Sequence, residues 1–304
     1  MGGGTWLKSD FTTYSHTVGR RVDASGSVTT AYASAREAYT KRYMDKDMNP
    51  RVAKNMMREC RDSAEHPNTV PIILALDVTG SMGQTAIEVS KELNTIVKGV
   101  ADQIADAEFM IMGIGDILYD GSPIQYSQFE SDIRIAQCLD SVYFEMGGGP
   151  NEYESYTAAW YVGLNRTDCD CWKRGRKGLI ITIGDEVINP VLHGPELMNA
   201  LGDDCIQGDI NTGALFKAVS AKYDVGHIVV EHRAGRSAHY DKCARTFADT
   251  IGAQNVKITT PKGIAKVLVD FIVEKCKAQP AMMDAPTVKV ETPDDGTMGV
   301  ISWT

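Results

Sequence analysis

No apolar stretch in the 304 residues approaches the roughly 20 that cross a bilayer as a helix, and no apolar core follows Met1-Gly2-Gly3-Gly4-Thr5-Trp6. Neither a membrane span nor a secretory leader is expected. Trp6 stands where a myristoylation signal wants Ser or Thr. Cysteine is sparse and odd in number: seven, at Cys60, Cys138, Cys169, Cys171, Cys205, Cys243 and Cys276. Such a set reads as reduced thiols in a cytoplasmic protein and excludes a disulfide framework. Cys169-Asp170-Cys171 is too tight for a usual zinc knuckle. Positive charge is in deficit, with 31 Lys and Arg against 40 Asp and Glu and a net charge of -9. That balance argues against a nucleic-acid partner. The one basic cluster, Lys173-Arg174-Gly175-Arg176-Lys177, reads as a solvated loop before a strand. Also missing are a Gly-x-x-x-x-Gly-Lys-[Ser/Thr] loop, a Gly-x-Ser-x-Gly elbow, a His-Glu-x-x-His pair and any internal repeat.

What is present divides into three parts: an N-terminal arm with helices over 1–67, a main domain over 68–280 and a tail over 281–304. The first 30 or so residues are rich in Gly, Ser and Thr and read as an extended arm. From Ala31 to Ser63 the pattern is helical, with Pro50 placed for a first helical turn. That stretch packs on the main domain as an amphipathic helix or serves as a docking arm. The tail allows one added strand at Val288–Val290.

In the main domain, Val70-Pro71-Ile72-Ile73-Leu74-Ala75-Leu76 is a continuous apolar run, as in a strand buried on both faces. It stops at Asp77. Between Thr85 and Ala105, Val89, Leu93, Ile96, Val97, Val100 and Ile104 fall on one face of a helix. The alternation continues. Strands are expected at 108–115, 178–183, 225–230 and 256–259, with a short edge strand at 124–129. Helices are expected at 131–143, 156–163, 195–201, 212–222 and 264–276. The fold class is therefore α/β: a doubly wound, mostly parallel, Rossmann-like sheet covered on both faces.

Three of these strands end in an aspartate: Asp77, Asp116 and Asp185. In an open parallel sheet the carboxyl ends of the strands line the ligand crevice, so residues distant in sequence can converge there. Beside Asp77 stand two hydroxyls, Thr79 and Ser81, at a spacing that lets one tight loop aim three oxygens at a point. An all-oxygen set suits a hard divalent cation, Mg²⁺ first and Mn²⁺ next. Asp116 reaches the same site through water or caps a turn. His227, His232 and His239 lack the spacing of a helix-borne zinc pair.

Asp77-Val78-Thr79-Gly80-Ser81-Met82-Gly83 after a buried strand resembles the metal-ion-dependent adhesion site (MIDAS) of von Willebrand factor A (vWA) domains, whose pattern is Asp-x-Ser-x-Ser with a distant threonine and a distant aspartate. The resemblance covers Asn68 to Lys277 and is to the intracellular bacterial or phage type. Thr79 keeps the hydroxyl of the first serine, and Asp185 in Ile181-Thr182-Ile183-Gly184-Asp185-Glu186 matches the distant aspartate. Where the family has its threonine, this sequence reads Gly147-Gly148-Gly149-Pro150-Asn151-Glu152. Asn151 or Glu152 supplies the missing oxygen, or caps a helix beginning near Tyr153. Thr157 is an outside candidate.

The resemblance implies a non-enzymatic, metal-dependent module that engages a partner protein, whose Asp or Glu completes the ion. For intracellular relatives it implies an ATPase of the MoxR type (AAA+), here a separate chain. Two other classes stay open: a metal-assisted hydrolase with Glu152, Asp116 or Glu186 as base, and an RNA-associated vWA module, which the acidic charge opposes.

Overall fold

The computed structural model describes residues 4–29, 43–52, 56–145, 147, 149–203, 206 and 208–279, and only the backbone at 81, 83, 84 and 86. At its centre are six strands: β1 (Val70–Asp77), β2 (Ala107–Ile114), β3 (Ile124–Glu130), β4 (Gly178–Gly184), β5 (Tyr223–Val230) and β6 (Val256–Thr259). They stand in the order β6-β5-β4-β1-β2-β3. All neighbours run parallel except β3, which is antiparallel to β2 and closes one edge. The pairing of β2 with β3 shifts between Met110 and Met112, where the Ile111 N–H donates to Ser127 Oγ at 3.0 Å. The expected doubly wound, mostly parallel sheet is present.

Around the sheet lie α1 (Lys8–Thr17), α2 (Gly83–Lys91), α3 (Leu93–Ala101), α4 (Arg134–Ser141), α5 (Thr157–Asn165), α6 (Gly194–Leu201), α7 (Thr212–Val219), α8 (Ser237–Ile251) and α9 (Ile264–Ala278). Strand side chains alternate between faces. In β1, Ile72, Leu74 and Leu76 join the core under α2, α3, α4 and α9. Ile73 and Ala75 join the core under α5, α6, α7 and α8. Both faces of β1 are thus apolar, which is why its sequence shows no polar alternation.

Several elements differ from the sequence expectation. The helix expected from Thr85 to Ala105 is two helices, α2 and α3, that break at Glu92. There the Val28 N–H takes the Lys91 carbonyl at 3.1 Å, and Ser27 donates to the Glu92 carboxylate at 3.1 Å. The N-terminal segment, expected as an extended arm, contains α1. Trp6, Phe11, Val28 and Met48 are buried in the same core as β1. Burying one such aromatic is worth about 2 kcal/mol, so two apolar anchors outweigh a Gly- and Ser-rich composition. Trp6 Nε1 also donates to Asn94 Oδ1 at 3.1 Å. After Pro50, Arg58–Cys60 forms a strand parallel to Thr167–Cys169 where a helix was expected. The expected helix over 31–42 and the tail strand at 288–290 lie outside the described residues. Among those residues no helix is long and apolar enough to cross a membrane.

Candidate metal centre

β1 is followed on one side by β2 and β3, and on the other by β4, β5 and β6. The strand order therefore reverses between β1 and β4, and in such sheets the crevice at the carboxyl ends there is the ligand site. Asp77 is the last residue of β1, and Asp185 follows the last residue of β4. Leu76 pairs with Ile183 just below them. Both carboxylates are buried, with 1% and 0% of their surface exposed.

Asp77 is held on both oxygens. Its Oδ1 accepts from the Thr79 N–H at 2.9 Å and from Thr79 Oγ1 at 2.5 Å. Its Oδ2 accepts from the Tyr156 hydroxyl at 2.7 Å. Tyr156 comes this close because residue 184 is glycine: a Cβ there would lie 2.0 Å from the tyrosine oxygen. Burial, and next the charge of Asp185, push the Asp77 carboxyl up to about 7, while the Thr79 and Tyr156 hydrogen bonds pull it down. Asp185 Oδ2 lies 3.6 Å from His232 Nε2. Its backbone carbonyl accepts from His239 Nε2 at 2.8 Å and from Cys243 Sγ at 3.2 Å. Neighbouring Glu186 is pushed up to about 7 by burial and then by Asp185.

Ser81 lies in the one-turn 3₁₀ helix Gly80–Met82, and its side chain is outside the described residues. The Gly80 N–H donates to the Gly147 carbonyl at 3.1 Å, so the glycine-rich loop rests on the Asp77 loop. Asn151 Nδ2 donates to Asp116 Oδ2, and the Leu118 N–H to Asp116 Oδ1 at 2.8 Å. Asp116 thus caps its own turn and anchors the glycine-rich loop. Glu152 has an exposed carboxylate paired with Lys242 at 2.5 Å, which holds it below the usual carboxylate range. Neither Asn151 nor Glu152 caps a helix. Tyr153–Glu154 is a strand paired with Val187–Ile188, and α5 begins only at Thr157. Thr157 Oγ1 is buried at that first helical position and accepts from Asn189 Nδ2 at 2.6 Å.

Two participants escape sequence reasoning. Tyr156 reads as an ordinary residue at a helix start, and nothing local marks its hydroxyl as the partner of Asp77. Glu154 lies two residues beyond Glu152. The two-residue strand turns Glu154 inward, leaving it 5% exposed, and its Oε2 has no hydrogen-bond partner. Burial and then the charges of Asp77, Asp116, Asp120 and Glu186 push it up to about 10. Strand alternation would put Glu152 and Glu154 on one face. Glu152 instead lies just outside the two-residue strand, so no signal in the sequence separates the outward carboxylate from the inward one.

Among the described residues no three His, Cys, Asp or Glu side chains converge as a metal-ligand group. A set of two carboxylates completed by hydroxyls and water needs no such trio. The donors present fit a hard cation: every candidate atom is oxygen, and the two carboxylates are buried together.

The sequence matches no protein-family model and no curated protein. Among solved structures, the open conformation of the pilus adhesin SpaC from Lactobacillus rhamnosus GG is similar over 71% of this chain and 31% of its own, at 13% identity and a TM-score of 0.45. Proximal thread matrix protein 1 of the mussel byssus is similar over 72% of this chain and 49% of its own, at 12% identity and a TM-score of 0.46. The vWF domain of the type V pili tip protein Mfa5 from Porphyromonas gingivalis is similar over 71% of this chain and 99% of its own, at 12% identity and a TM-score of 0.44. This chain spans about a third of the adhesin and about half of the mussel protein.

Proposed function

We propose that this chain is a vWA-type binding module that holds Mg²⁺ or Mn²⁺ at a MIDAS-like site and engages a partner protein through it, without catalysing a reaction. The observation that carries this reading is the burial of Asp77 and Asp185 side by side at the point where the strand order reverses. Two carboxylates in a low-dielectric site raise each other's proton affinity, and either protons or a cation must offset the repulsion. Asp77, Asp185, Thr79 and Ser81 would hold the ion. Bound there, it supplies Lewis acidity and a position that a partner's Asp or Glu can complete. Glu154, pushed up to about 10, adds a further buried carboxyl beside Asp77, one that keeps its proton near neutral pH. Asn151 stays a candidate through Oδ1, since only its amide nitrogen is engaged by Asp116, whereas the pairing of Glu152 with Lys242 weighs against that carboxylate as a ligand.

The hydrolase reading needs a free base beside the ion, and the engagement of Glu152 by Lys242, of Asp116 by Asn151 and of Glu186 by His239 weighs against it. The net charge of -9 weighs against an RNA-associated role. The odd, sparse set of seven cysteines supports a cytoplasmic setting. A MoxR-type ATPase is the first partner to test.

Calorimetric titration with Mg²⁺ and Mn²⁺ tests the site. Wild type is expected to bind one ion, and Asp77→Ala none; equal binding by both would sink the reading. A pull-down with wild type, Asp77→Ala and Ser81→Ala tests the use of the ion. A partner retained equally by all three would show that the ion is not the contact.

A further inference from the structure

Apart from the crevice, a thiol pair joins the N-terminal segment to the main domain. The strands Arg58–Cys60 and Thr167–Cys169 run parallel, in the register Arg58 to Thr167, Glu59 to Asp168 and Cys60 to Cys169. Cys60 and Cys169 are therefore direct neighbours across the ladder, 0% and 1% exposed. Opposed residues of adjacent strands sit about 5 Å apart, inside the roughly 4.4–6.8 Å between Cα atoms that a disulfide spans.

The two thiols are unequal. Burial raises Cys60 well above the ordinary thiol range, and its hydrogen bond to Cys169 adds to the rise. Burial also acts on Cys169, yet hydrogen bonds from Cys60, Tyr223 and Thr167 together bring it below the ordinary value. The Tyr223 hydroxyl lies 3.4 Å from Cys169 Sγ and 2.7 Å from Thr167 Oγ1. Cys171 is also buried, but it lies beyond the ladder in the turn Asp170–Arg174.

We infer that Cys60 and Cys169 are a redox-active dithiol, closed by hydrogen peroxide to a disulfide that clamps the segment before β1 to the chain leaving α5. The Cys169 thiolate attacks one peroxide oxygen and breaks the O–O bond. Hydroxide leaves and takes up a proton as water, and Cys169 becomes a sulfenic acid. The Cys60 sulfur then displaces the sulfenic hydroxyl, which departs with the Cys60 proton as a second water. Two thiols and one peroxide give one disulfide and two waters. The clamp lies at the far end of α5, the helix whose first turn follows Tyr156. In an oxidising compartment the bond would be present already.

The test uses the full chain, reduced with dithiothreitol, desalted and treated with hydrogen peroxide. It is then unfolded with an alkylating agent, and the thiols are counted and the non-reduced digest mapped by mass spectrometry. Two of the seven thiols are expected to disappear, with one linked peptide joining Cys60 to Cys169, reversed by dithiothreitol. Cys138→Ser is expected to leave the link intact, and Cys60→Ser to abolish it. A linked peptide joining any other pair, or sulfinic products at Cys169 without the link, would overturn the inference. The wild-type peptide map decides alone if a variant fails to fold.

Discussion

The Tyr156 hydroxyl donates to Asp77 Oδ2 at 2.7 Å, across 79 residues of sequence. The tyrosine oxygen in turn accepts from the Glu186 N–H at 3.3 Å. One phenol thus bridges the end of β1 to the loop after β4, the two sides of the crevice. Tyr156→Phe keeps the ring and deletes the bridge. Leaving a buried carboxylate short of a donor costs about 1–3 kcal/mol, and urea unfolding in chelator at pH 8 should show that loss. Added Mg²⁺ should recover part of it, since a cation also compensates Asp77. Unchanged stability in chelator would show that the bridge contributes nothing.

Gly184 should be intolerant of any side chain. A Cβ would meet Tyr156 Oη at 2.0 Å and its Cε1 at 2.5 Å. The ring cannot retreat easily, because it packs edge-on against His227 and Phe247 at centroid distances of 5.1 and 5.5 Å. Overpacking of this kind costs roughly 1–3 kcal/mol, to which loss of the Asp77 bond adds. Gly184→Ala is therefore expected to be more damaging than Tyr156→Phe in denaturant unfolding. The double variant should be less unstable than the sum, because both act on one contact.

Glu154 separates stability from cation binding. Near neutral pH the buried Glu154 carboxyl must take up a proton on folding, because it is pushed up to about 10. With chelator, Glu154→Gln removes that cost and the protein should become more stable, by about 1–3 kcal/mol. With Mg²⁺ present, the gain in melting temperature on adding the ion should be smaller than in wild type. A variant that is destabilised in chelator would show that Glu154 is paired in a way its burial does not suggest.

Much of this was legible in the sequence, and the residues explain why. Val70 to Leu76 is apolar at every position, so β1 and its burial on both faces follow from composition alone. Asp77, Thr79 and Ser81 are local, and Asp185 is placed by the apolar run at 178–183. Tyr156 and Glu154 are not legible in this way. Their roles depend on the short strand Tyr153–Glu154 pairing with Val187–Ile188, a contact between segments with no strong pattern of their own. Trp6 and Phe11 were hidden for a different reason: two apolar anchors in a Gly- and Ser-rich stretch set no period, yet each finds a place in the core.

Glu108 gives the molecule a pH dependence that is independent of the crevice. It lies in β2, 2% exposed, and burial, with Glu130 adding, pushes it up to about 7; the Cys60 hydrogen bond and His66 pull the other way. In the unfolded chain a glutamate titrates near about 4.3. Between these values the folded state binds the proton and the unfolded state does not, so stability falls as pH rises. The contribution is fully present below about pH 4.3 and is lost as pH passes about 7. Glu108→Gln mimics the protonated form. It should leave stability nearly unchanged at pH 4 and raise it at pH 8 by roughly 4 kcal/mol at most. Urea unfolding at the two pH values measures this, and a difference from wild type that does not vary with pH would refute it. Closing Cys60 into a disulfide removes its S–H donor from Glu108, so the oxidised wild type should lose stability with pH more steeply than the reduced form.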